Sequence, residues 1–219
     1  MDHKIGSGAR CAMIGYGSWA TALAKVLTEN EPSIGWYVRN PEVLESLRDK
    51  GRNPRYLSNV RFDRTRINPS DDLDRVVSEA DIVILAVKPK DQRAVIKEIA
   101  PSVVSRPDAC VVSLAAGRTL DQITQDFGSG IPLIRVMPNV AATVRQSMTA
   151  LTATRTTDDQ VNAVRDLMNS VGRTVLIDED YFPVFQALAS CSPAWYFQII
   201  ASFARAGLKY GLSKDRAVG

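Results

Sequence analysis

The chain has 219 residues, a formal net charge of +3, 45% hydrophobic residues and 23% charged residues. This globular composition and length allow one sizeable domain plus an appendage, without help from metals or disulfides. The charge is too small to favour a nucleic-acid partner or an anionic membrane, and no apolar run approaches the roughly 20 residues of a membrane span.

The first elements alternate between apolar strands and amphipathic helices. Residues 10–14 and 33–38 have the composition of buried strands, and residues 18–30 between them carry apolar side chains at helical spacing. Pro41 is predicted to lie in the first turn of the next helix, with Asn40 as the N-cap.

Residues 51–70, GRNPRYLSNVRFDRTRINPS, are polar, basic and rich in turn residues, which predicts a loop. Arginines surround Tyr56 and Phe62 here, a pattern that nucleic-acid patches share. Aspartates nearby dilute the positive potential, so we interpret the segment as solvated surface and expect no nucleic-acid partner.

The alternation continues through strands in DIVILAVKP, ACVVSLAAG, PLIRVMPN, TALTAT and TVLID, with helical segments between them. Apolar runs of this kind suit parallel strands that are covered on both faces. The pattern predicts right-handed βαβ units in an α/β fold, a Rossmann-like, doubly wound parallel sheet over residues 1–178.

The character of the sequence changes near Asp180. Residues 193–212, PAWYFQIIASFARAGLKYGL, predict a long helix that is apolar over most of its circumference. The rest of the chain is too short to cover it, so we expect a partner subunit to do so. We therefore predict that residues 179–219 begin an all-helical dimerisation and substrate segment, within a homodimer or higher homo-oligomer.

The cysteines and the histidine limit the chemistry. Cys11, Cys110 and Cys191 are odd in number and lack metal-ligand spacing, which favours a reduced protein in the cytoplasm and no metal site. We expect Cys11 and Cys110 to be buried. The only histidine, His3, lies in a polar leader that lacks the apolar core of a signal peptide, so histidine-based catalysis has little support.

A glycine turn, GYGSWA, follows the first strand and opens the first helix, as the dinucleotide fingerprint requires. Gly15 permits a tight turn, Gly17 lets the backbone approach a pyrophosphate, and the phosphates would sit on the helix N-terminus. A plain turn between two buried elements is the alternative. The predicted cofactor contacts in the turn are Gly15, Tyr16, Gly17, Ser18 and Trp19.

The second strand ends in Val38-Arg39-Asn40, where an NAD-specific site would have an acidic residue for the ribose 2′-hydroxyl. The guanidinium of Arg39 favours the 2′-phosphate of NADP and can stack on adenine. We predict NADP with Arg39 and Asn40 at the adenosine end, with NAD also possible; an exposed arginine without a ligand is the alternative.

Two families resemble parts of the chain. The stretches IGYGSWATALAKVL, WYVRN and GRNPRYLSNVRF resemble the N-terminal part of bacterial NAD(P)-dependent glycerol-3-phosphate dehydrogenases, over about the first third of the chain. Residues 81–219 resemble pyrroline-5-carboxylate reductase through AVKP, VVSLAAG, RVMPNVAATVRQSMTAL, VGRTVLIDED and ALASCSPAWYFQIIASFARAGLKYGL, in order and at family spacing.

The reductase resemblance implies that two loops, 86–89 and 115–117, approach the ribose and the nicotinamide. Both follow strands at the edge where this fold places ligands, and small residues let the ring come close. An ordinary strand end and close backbone packing are the alternatives. The implied cofactor contacts are Ala86, Val87, Lys88, Pro89, Ala115, Ala116 and Gly117.

The same resemblance implies a site for the substrate carboxylate at the start of the last helix. The family pattern there is Ser-Gly-Ser-Gly-Pro-Ala, whereas here Cys191 stands where a glycine is common and the second glycine is missing. We expect Ser192 to be the N-cap and Pro193 the first helical residue, so that free N–H groups and hydroxyls face a ligand; an ordinary helix cap is the alternative. The predicted substrate contacts are Asn139, Ser190, Cys191, Ser192, Pro193 and Ala194.

Two of these residues leave alternatives open. Asn139 either binds the ligand or caps the local backbone, since asparagine does both well. Cys191 is not expected to be a nucleophile, because no histidine base is available to activate it. The reductase family also continues with further helices and a pocket-closing loop, so we expect the substrate site of a chain ending at Gly219 to be incomplete.

The leading hypothesis is NADPH-dependent reduction of 1-pyrroline-5-carboxylate to L-proline, by hydride transfer to the imine carbon. No general acid is identified, so the imine is expected to bind already protonated and no catalytic residue is assigned. Glycerol-3-phosphate dehydrogenase is one alternative, although Ala115 and Ala116 stand where that family carries a lysine. A dinucleotide-binding, dimerising module without catalysis is the other.

Overall fold

The computed structural model describes residues 9–30 and 32–218, so His3 lies outside the described residues. Within them, eight strands form one sheet in the order β3-β2-β1-β4-β5-β6-β7-β8. The strands are β1 (Cys11–Ile14), β2 (Ile34–Tyr37), β3 (Ile67–Ser70), β4 (Ile82–Leu85), β5 (Cys110–Ser113), β6 (Leu133–Met137), β7 (Ser147–Thr154) and β8 (Gly172–Leu176).

Helices cover both faces of this sheet, as the continuous apolar strands require. Side chains of α1, α2 and α6 pack in one core and those of α3, α4 and α5 in the other. The predicted Rossmann-like, doubly wound α/β fold is confirmed. These helices are α1 (Ser18–Asn30), α2 (Pro41–Lys50), α3 (Leu73–Val77), α4 (Pro89–Val104), α5 (Leu120–Phe127) and α6 (Asp158–Asn169).

The structure confirms one prediction about the strands, the burial of two cysteines, and corrects another, the extent of a loop. Cys11 and Cys110 are buried as predicted, and burial raises the pKa of the Cys110 thiol to about 12, which leaves it unreactive. The prediction of a loop throughout residues 51–70 is wrong at its end, because Ile67–Ser70 forms β3. Pro69 hides this strand from a propensity argument, yet proline is tolerated on an edge strand such as β3.

The last two strands run against the others, so the prediction of a wholly parallel sheet is wrong there. β7 pairs with β6 in the antiparallel sense, and β8 is parallel to β7. Only the short 3₁₀ helix Val140–Val144 joins β6 to β7. A parallel crossover needs about a dozen residues or more, which this connection does not supply, so the chain turns back on itself.

Every element after β8 is helical. They are the 3₁₀ helix Glu179–Tyr181, α7 (Phe182–Phe185), the π-helical turn Gln186–Ser190, α8 (Ser192–Lys209) and α9 (Lys214–Val218). The predicted long helix is present as α8, although Ala204 is the one buried residue among its side chains in this single chain. None of the helices in the described ranges has the length and apolarity that crossing a membrane takes. The domain boundary at residues 178/179 stays a prediction.

A buried cation fixes this helical segment to the sheet. Arg135 of β6 donates a 2.7 Å hydrogen bond to Glu179, and its guanidinium lies 4.3 Å from the ring centre of Phe182. The same Glu179 oxygen accepts the backbone N–H of Leu120, the first residue of α5. Because β8 runs away from the carboxyl ends of β1–β6, the chain returns to that edge through α7 and the π-helical turn.

Candidate functional site

A cleft of about 300 Å³ opens at the carboxyl ends of β1 and β4. The chain winds outward from β1 in one direction and from β4 in the other, so this is the crevice where doubly wound sheets bind ligands. We call it the main cleft. Seven of the predicted cofactor residues line it: Gly15, Tyr16, Gly17, Arg39, Ala86, Val87 and Lys88.

The two glycines of the turn are required for different reasons. Gly15 has φ +118°, and a Cβ there would lie 2.6 Å from the carbonyl oxygen of Ala86, so the fold itself excludes a side chain. A Cβ on Gly17 would meet no atom within 4 Å, and its φ is not in the left-handed region. The fold therefore does not explain Gly17, whereas a ligand lying against the backbone would.

The backbone around Gly17 has hydrogen-bonding capacity to spare. Its carbonyl accepts the N–H of Thr21, which starts the hydrogen-bond ladder of α1. In the described part of the chain, the N–H groups of Tyr16 and Gly17 have no acceptor. They lie at the positive end of a 13-residue helix, an arrangement that favours an anion.

The charges of the main cleft suit the same kind of ligand. Arg39, Lys88 and Lys90 line it, and none of them forms an ion pair with another described residue. Asp91 and Glu98, both on α4, add negative charge to the lining. Partial burial and Glu98 raise the pKa of Tyr37, with Arg39 acting in the opposite direction, so the tyrosine hydroxyl stays a neutral donor in this cleft.

A second, smaller cleft of about 120 Å³ lies against the carboxyl ends of β5 and β6. Its wall contains no ionisable side chain. Of the predicted residues, Trp19, Ala116 and Ser190 line it, and the others are Leu114, Met137, Pro138 and Gln186. Hydrogen bonds to Ser113, the last residue of β5, fix the start of the loop beside this cleft. Ser113 Oγ accepts one bond from the N–H of the buried Ala115 and another from the side-chain amide of Gln92.

The prediction that Ser192 caps the start of α8 is wrong. The chain is already helical before it, and the N–H of Cys191 donates to the carbonyl of Gln186 in the π-helical turn. Ser192 is the first residue of α8 rather than its N-cap, and Pro193 is the second. The Ser192 hydroxyl donates to the carbonyl of Ala189 and the Ser190 hydroxyl to that of Pro138. The hydroxyl groups therefore already have partners, while Cys191 and Ala194 are exposed.

Asn139 caps the local backbone, one of the two alternatives for it. Its Oδ1 accepts the N–H of Ala141, and its Nδ2 donates to Ala189 in the π-helical turn at 3.0 Å. Its own N–H donates to the hydroxyl of Ser147. This asparagine therefore ties the helical segment to the end of β6.

The other predicted residues lie near the clefts without lining them. Asn40 is the N-cap of α2 as predicted, and its side chain accepts the N–H of Val43. Pro89 is the first residue of α4 rather than part of a loop. Ser18 separates Gly17 from Trp19 in the first turn of α1, and Gly117 follows Ala116 with φ +73°. Contact of these residues with a ligand stays a prediction.

Several lining residues were not predicted. Tyr56 lies in residues 51–66, which we call the arginine-rich loop. The sequence signal there was the resemblance of GRNPRYLSNVRF to a dehydrogenase rather than the charge of the segment. Gln186 reaches the smaller cleft from the π-helical turn, which no sequence pattern indicated. The others in the main cleft are Tyr37, Lys90, Asp91, Ala94, Val95 and Glu98.

A cavity larger than either cleft, about 700 Å³, lies elsewhere, between β3 and α3. It lies towards the amino ends of β1 and β2, away from the edge where this fold binds ligands. Two of its arginines already have partners, since Arg10 is bonded to Asp81 and Arg48 to the carbonyl of Pro69. We therefore assign the candidate site to the main and smaller clefts.

Comparisons with solved structures agree with the Rossmann-like fold described above. A pyrroline-5-carboxylate reductase of Coxiella burnetii superposes with a TM-score of 0.83 at 27% identity, over 96% of this chain and 74% of that one. The Plasmodium falciparum pyrroline carboxylate reductase, whose structure has NADP bound, gives 0.79 at 21% identity over 97% and 74%.

In sequence, the chain is 33% identical over 152 residues to pyrroline-5-carboxylate reductase 2 of Bacillus subtilis (strain 168), which is 69% of this chain and 54% of that protein. The chain thus spans about half the length of this relative. The model of the NAD-dependent glycerol-3-phosphate dehydrogenase N-terminus matches residues 10–162. Both predicted resemblances are confirmed, and each extends beyond the segment that first indicated it. By that match the chain belongs to the family of NAD-dependent glycerol-3-phosphate dehydrogenase N-terminal domains, with a fold shared by pyrroline-5-carboxylate reductases.

Proposed function

We propose that the chain binds NADPH in the main cleft and reduces 1-pyrroline-5-carboxylate to L-proline. The observation that carries the proposal is that residue 17 is a glycine although the fold leaves room for a side chain there. A pyrophosphate against this backbone would accept hydrogen bonds from the free N–H groups of Tyr16 and Gly17. The names of the sequence relatives and structural neighbours support the reductase as the activity.

The proposal gives the unpaired cations of the main cleft a common role. Arg39 follows β2, where the 2′-phosphate of an NADP ribose lies in this fold. Its planar guanidinium suits bidentate contact with phosphate. Lys88 and Lys90 lie beside the start of α4 and would balance the charge of the diphosphate. NAD, which lacks the 2′-phosphate, is the weaker ligand in this proposal.

The smaller cleft would receive the reacting ring and the imine. When bound, the reduced nicotinamide supplies a hydride, which adds to the imine carbon and leaves the secondary amine of proline. Ala116 leaves room for close approach, and the apolar side chains of Trp19, Leu114 and Met137 would shield the bound ring from water. Because this wall has no ionisable side chain, the substrate must carry its own proton on the imine nitrogen.

One observation favours a second candidate, the glycerol-3-phosphate dehydrogenase activity of the family whose model matches residues 10–162. Against it, Ala115 and Ala116 stand where that family carries a lysine, and Lys88 lies on another loop. A binding module without turnover is the third candidate.

A four-way assay separates the candidates. NADPH and NADH oxidation would be followed by absorbance with 1-pyrroline-5-carboxylate or dihydroxyacetone phosphate as the substrate. We expect turnover with the imine, faster with NADPH, and none with the ketone phosphate. The reverse pattern would establish the dehydrogenase. NADPH binding by fluorescence titration without either turnover would leave the binding module.

We further propose that the chain forms a homodimer or higher homo-oligomer through α8. Phe203 is 76% exposed and Tyr196 64% exposed, on a helix whose other exposed apolar residues include Trp195, Phe197 and Ile200. An exposed apolar surface of this size is rare on monomers. Light scattering at several concentrations tests it, and a monomer mass throughout would contradict it. The odd number of cysteines supports a reducing location, so we propose the cytoplasm.

A further inference from the structure

Asn53 is an asparagine of the arginine-rich loop that is fully buried and uses every hydrogen-bonding position of its amide. Its Nδ2 donates to the carbonyl of Tyr16 at 2.8 Å and to the hydroxyl of Thr21 at 2.9 Å. Its Oδ1 accepts the backbone N–H groups of Arg55 at 3.0 Å and Tyr56 at 3.2 Å. One side chain therefore connects the glycine turn to a wall of the main cleft.

The first pair of bonds determines where the turn points its N–H groups. In a trans peptide the carbonyl of one residue and the N–H of the next point in opposite directions, and the described chain contains no cis peptide. Trp36 holds the carbonyl of Gly15 at 2.7 Å, and Asn53 holds that of Tyr16. With both carbonyls directed into the protein, the N–H groups of Tyr16 and Gly17 point the other way, where neither has a protein acceptor.

The second pair of bonds shapes the adenosine side of the cleft. Tyr56 is 37% exposed and lines the main cleft together with Arg39 and Tyr37. Its backbone is fixed by Asn53, and the neighbouring Arg55 is paired with Glu42 of α2 at 2.8 Å. A half-exposed aromatic ring beside an arginine suits a purine, which both groups can stack against.

We propose that Asn53 is a positioning residue that presets the phosphate-binding turn and carries Tyr56 to the adenine of the dinucleotide. The inference rests on the proposed function, because it names how that site is held. In this proposal the arginine-rich loop stabilises the wall of the main cleft through hydrogen bonds within the protein.

The loop keeps a second anchor when the Asn53 amide is removed. Phe62 is buried, lies edge-on to Trp36 with ring centres 5.1 Å apart, and donates its N–H to Gly51 at 2.7 Å. Loss of the amide should therefore loosen the turn without releasing the whole loop. The expected effect is on cofactor affinity rather than on the chemical step.

The test is Asn53→Ala beside Gln160→Ala as a matched control. Gln160 is also a buried amide that braces a loop, donating to Asp108 at 3.0 Å, but it lies on α6 away from both clefts. NADPH affinity would be measured by fluorescence titration of the full chain, with urea unfolding on the same samples. Asn53→Ala should weaken NADPH binding by at least about tenfold, the loss expected when a buried polar contact is left unmade, while Gln160→Ala stays within about twofold at a similar loss of stability.

A second ligand separates the two halves of the brace. Asn53→Asp keeps both acceptor contacts to the loop and removes both donors to the turn, and it serves as the replacement variant if alanine prevents folding. It should lose affinity for NADPH much more than for adenosine 2′-monophosphate, which has no pyrophosphate. Equal affinities in folded wild type and both Asn53 variants would overturn the inference alone, whereas a wild type that fails to bind NADPH would overturn the proposed function itself.

Discussion

The starts of α1 and α8 have similar sequence signals but are preceded by different structures. Both have small residues before a long helix, and both were predicted to offer free N–H groups to an anion. At α1 the chain arrives from a strand through Gly15, and the N–H groups of Tyr16 and Gly17 have no acceptor in the described residues. At α8 the chain arrives as a π-helical turn, and Cys191 donates its N–H to Gln186.

The difference leads us to expect anion binding at a helix start mainly where the preceding chain turns away from the helix axis. A strand that ends in a glycine turn does so, and it leaves the first N–H groups without intrahelical partners. At α8 the helical lead-in instead supplies an acceptor for the N–H of Cys191. Ser192 and Pro193 are good residues for a helix start, but they do not report which kind of chain precedes them.

The largest expected effect comes from placing a carboxylate at the start of α1, with the same change at α8 as the comparison. Gly17→Asp puts a negative charge where a pyrophosphate would lie, without strain or a clash in the fold. We expect at least about a 100-fold loss of NADPH affinity from like-charge repulsion, measured by fluorescence titration. Ser192→Asp is the matched variant at α8 and should change the affinity by less than about twofold. Equal losses in the two variants would remove the contrast between the helix starts.

A smaller effect is expected at the adenosine end of the main cleft. Arg39→Ala should weaken NADPH binding by about tenfold or more, because a charge-assisted contact with the 2′-phosphate is lost, and should leave NADH nearly unchanged. Arg61, an exposed arginine of the loop that lines neither cleft, provides the control variant Arg61→Ala. A parallel loss for both nucleotides would mean that Arg39 does not read the 2′-phosphate.

The smallest effect on binding is expected at Asn139, close to α8. Asn139→Ala removes a cap and the bond to Ala189, so urea unfolding should show a loss of about 1–3 kcal/mol. NADPH affinity should remain within about twofold, since both amide atoms contact the backbone. Asn162→Ala, at an exposed position of α6, should cost less than about 0.5 kcal/mol. A large affinity loss with unchanged stability would instead support a direct ligand contact.

The sequence predicts the central sheet well because its strands are apolar and its turns carry local signals. Asn40 at α2 and Gly15 after β1 are read from a few residues each. β3 was missed because its stability comes from pairing with β2 rather than from the propensity of Ile67–Ser70. The reversal of β7 depends on the length of a connection and on distant packing, which no single window contains.

The site divides in the same way. The glycine turn and Arg39 were found from the pattern, since each lies within one βα unit. Asn53 and Gln186 reach the site from segments far along the chain, and their positions depend on tertiary contacts. The π-helical turn, with Ala189 accepting from Asn139, is likewise set by tertiary hydrogen bonding rather than by local propensity.

The three tryptophans of the sequence lie in three different surroundings, which makes the chain its own optical reporter. Trp36 is fully buried and hydrogen-bonded to Gly15, Trp19 is 39% exposed at the smaller cleft, and Trp195 is 55% exposed on α8. Buried indoles emit at shorter wavelength than hydrated ones. In single-tryptophan variants, quenching of Trp19 would therefore report ligand entry, and a blue shift of Trp195 would report subunit contact. The late loss of Trp36 emission would report unfolding.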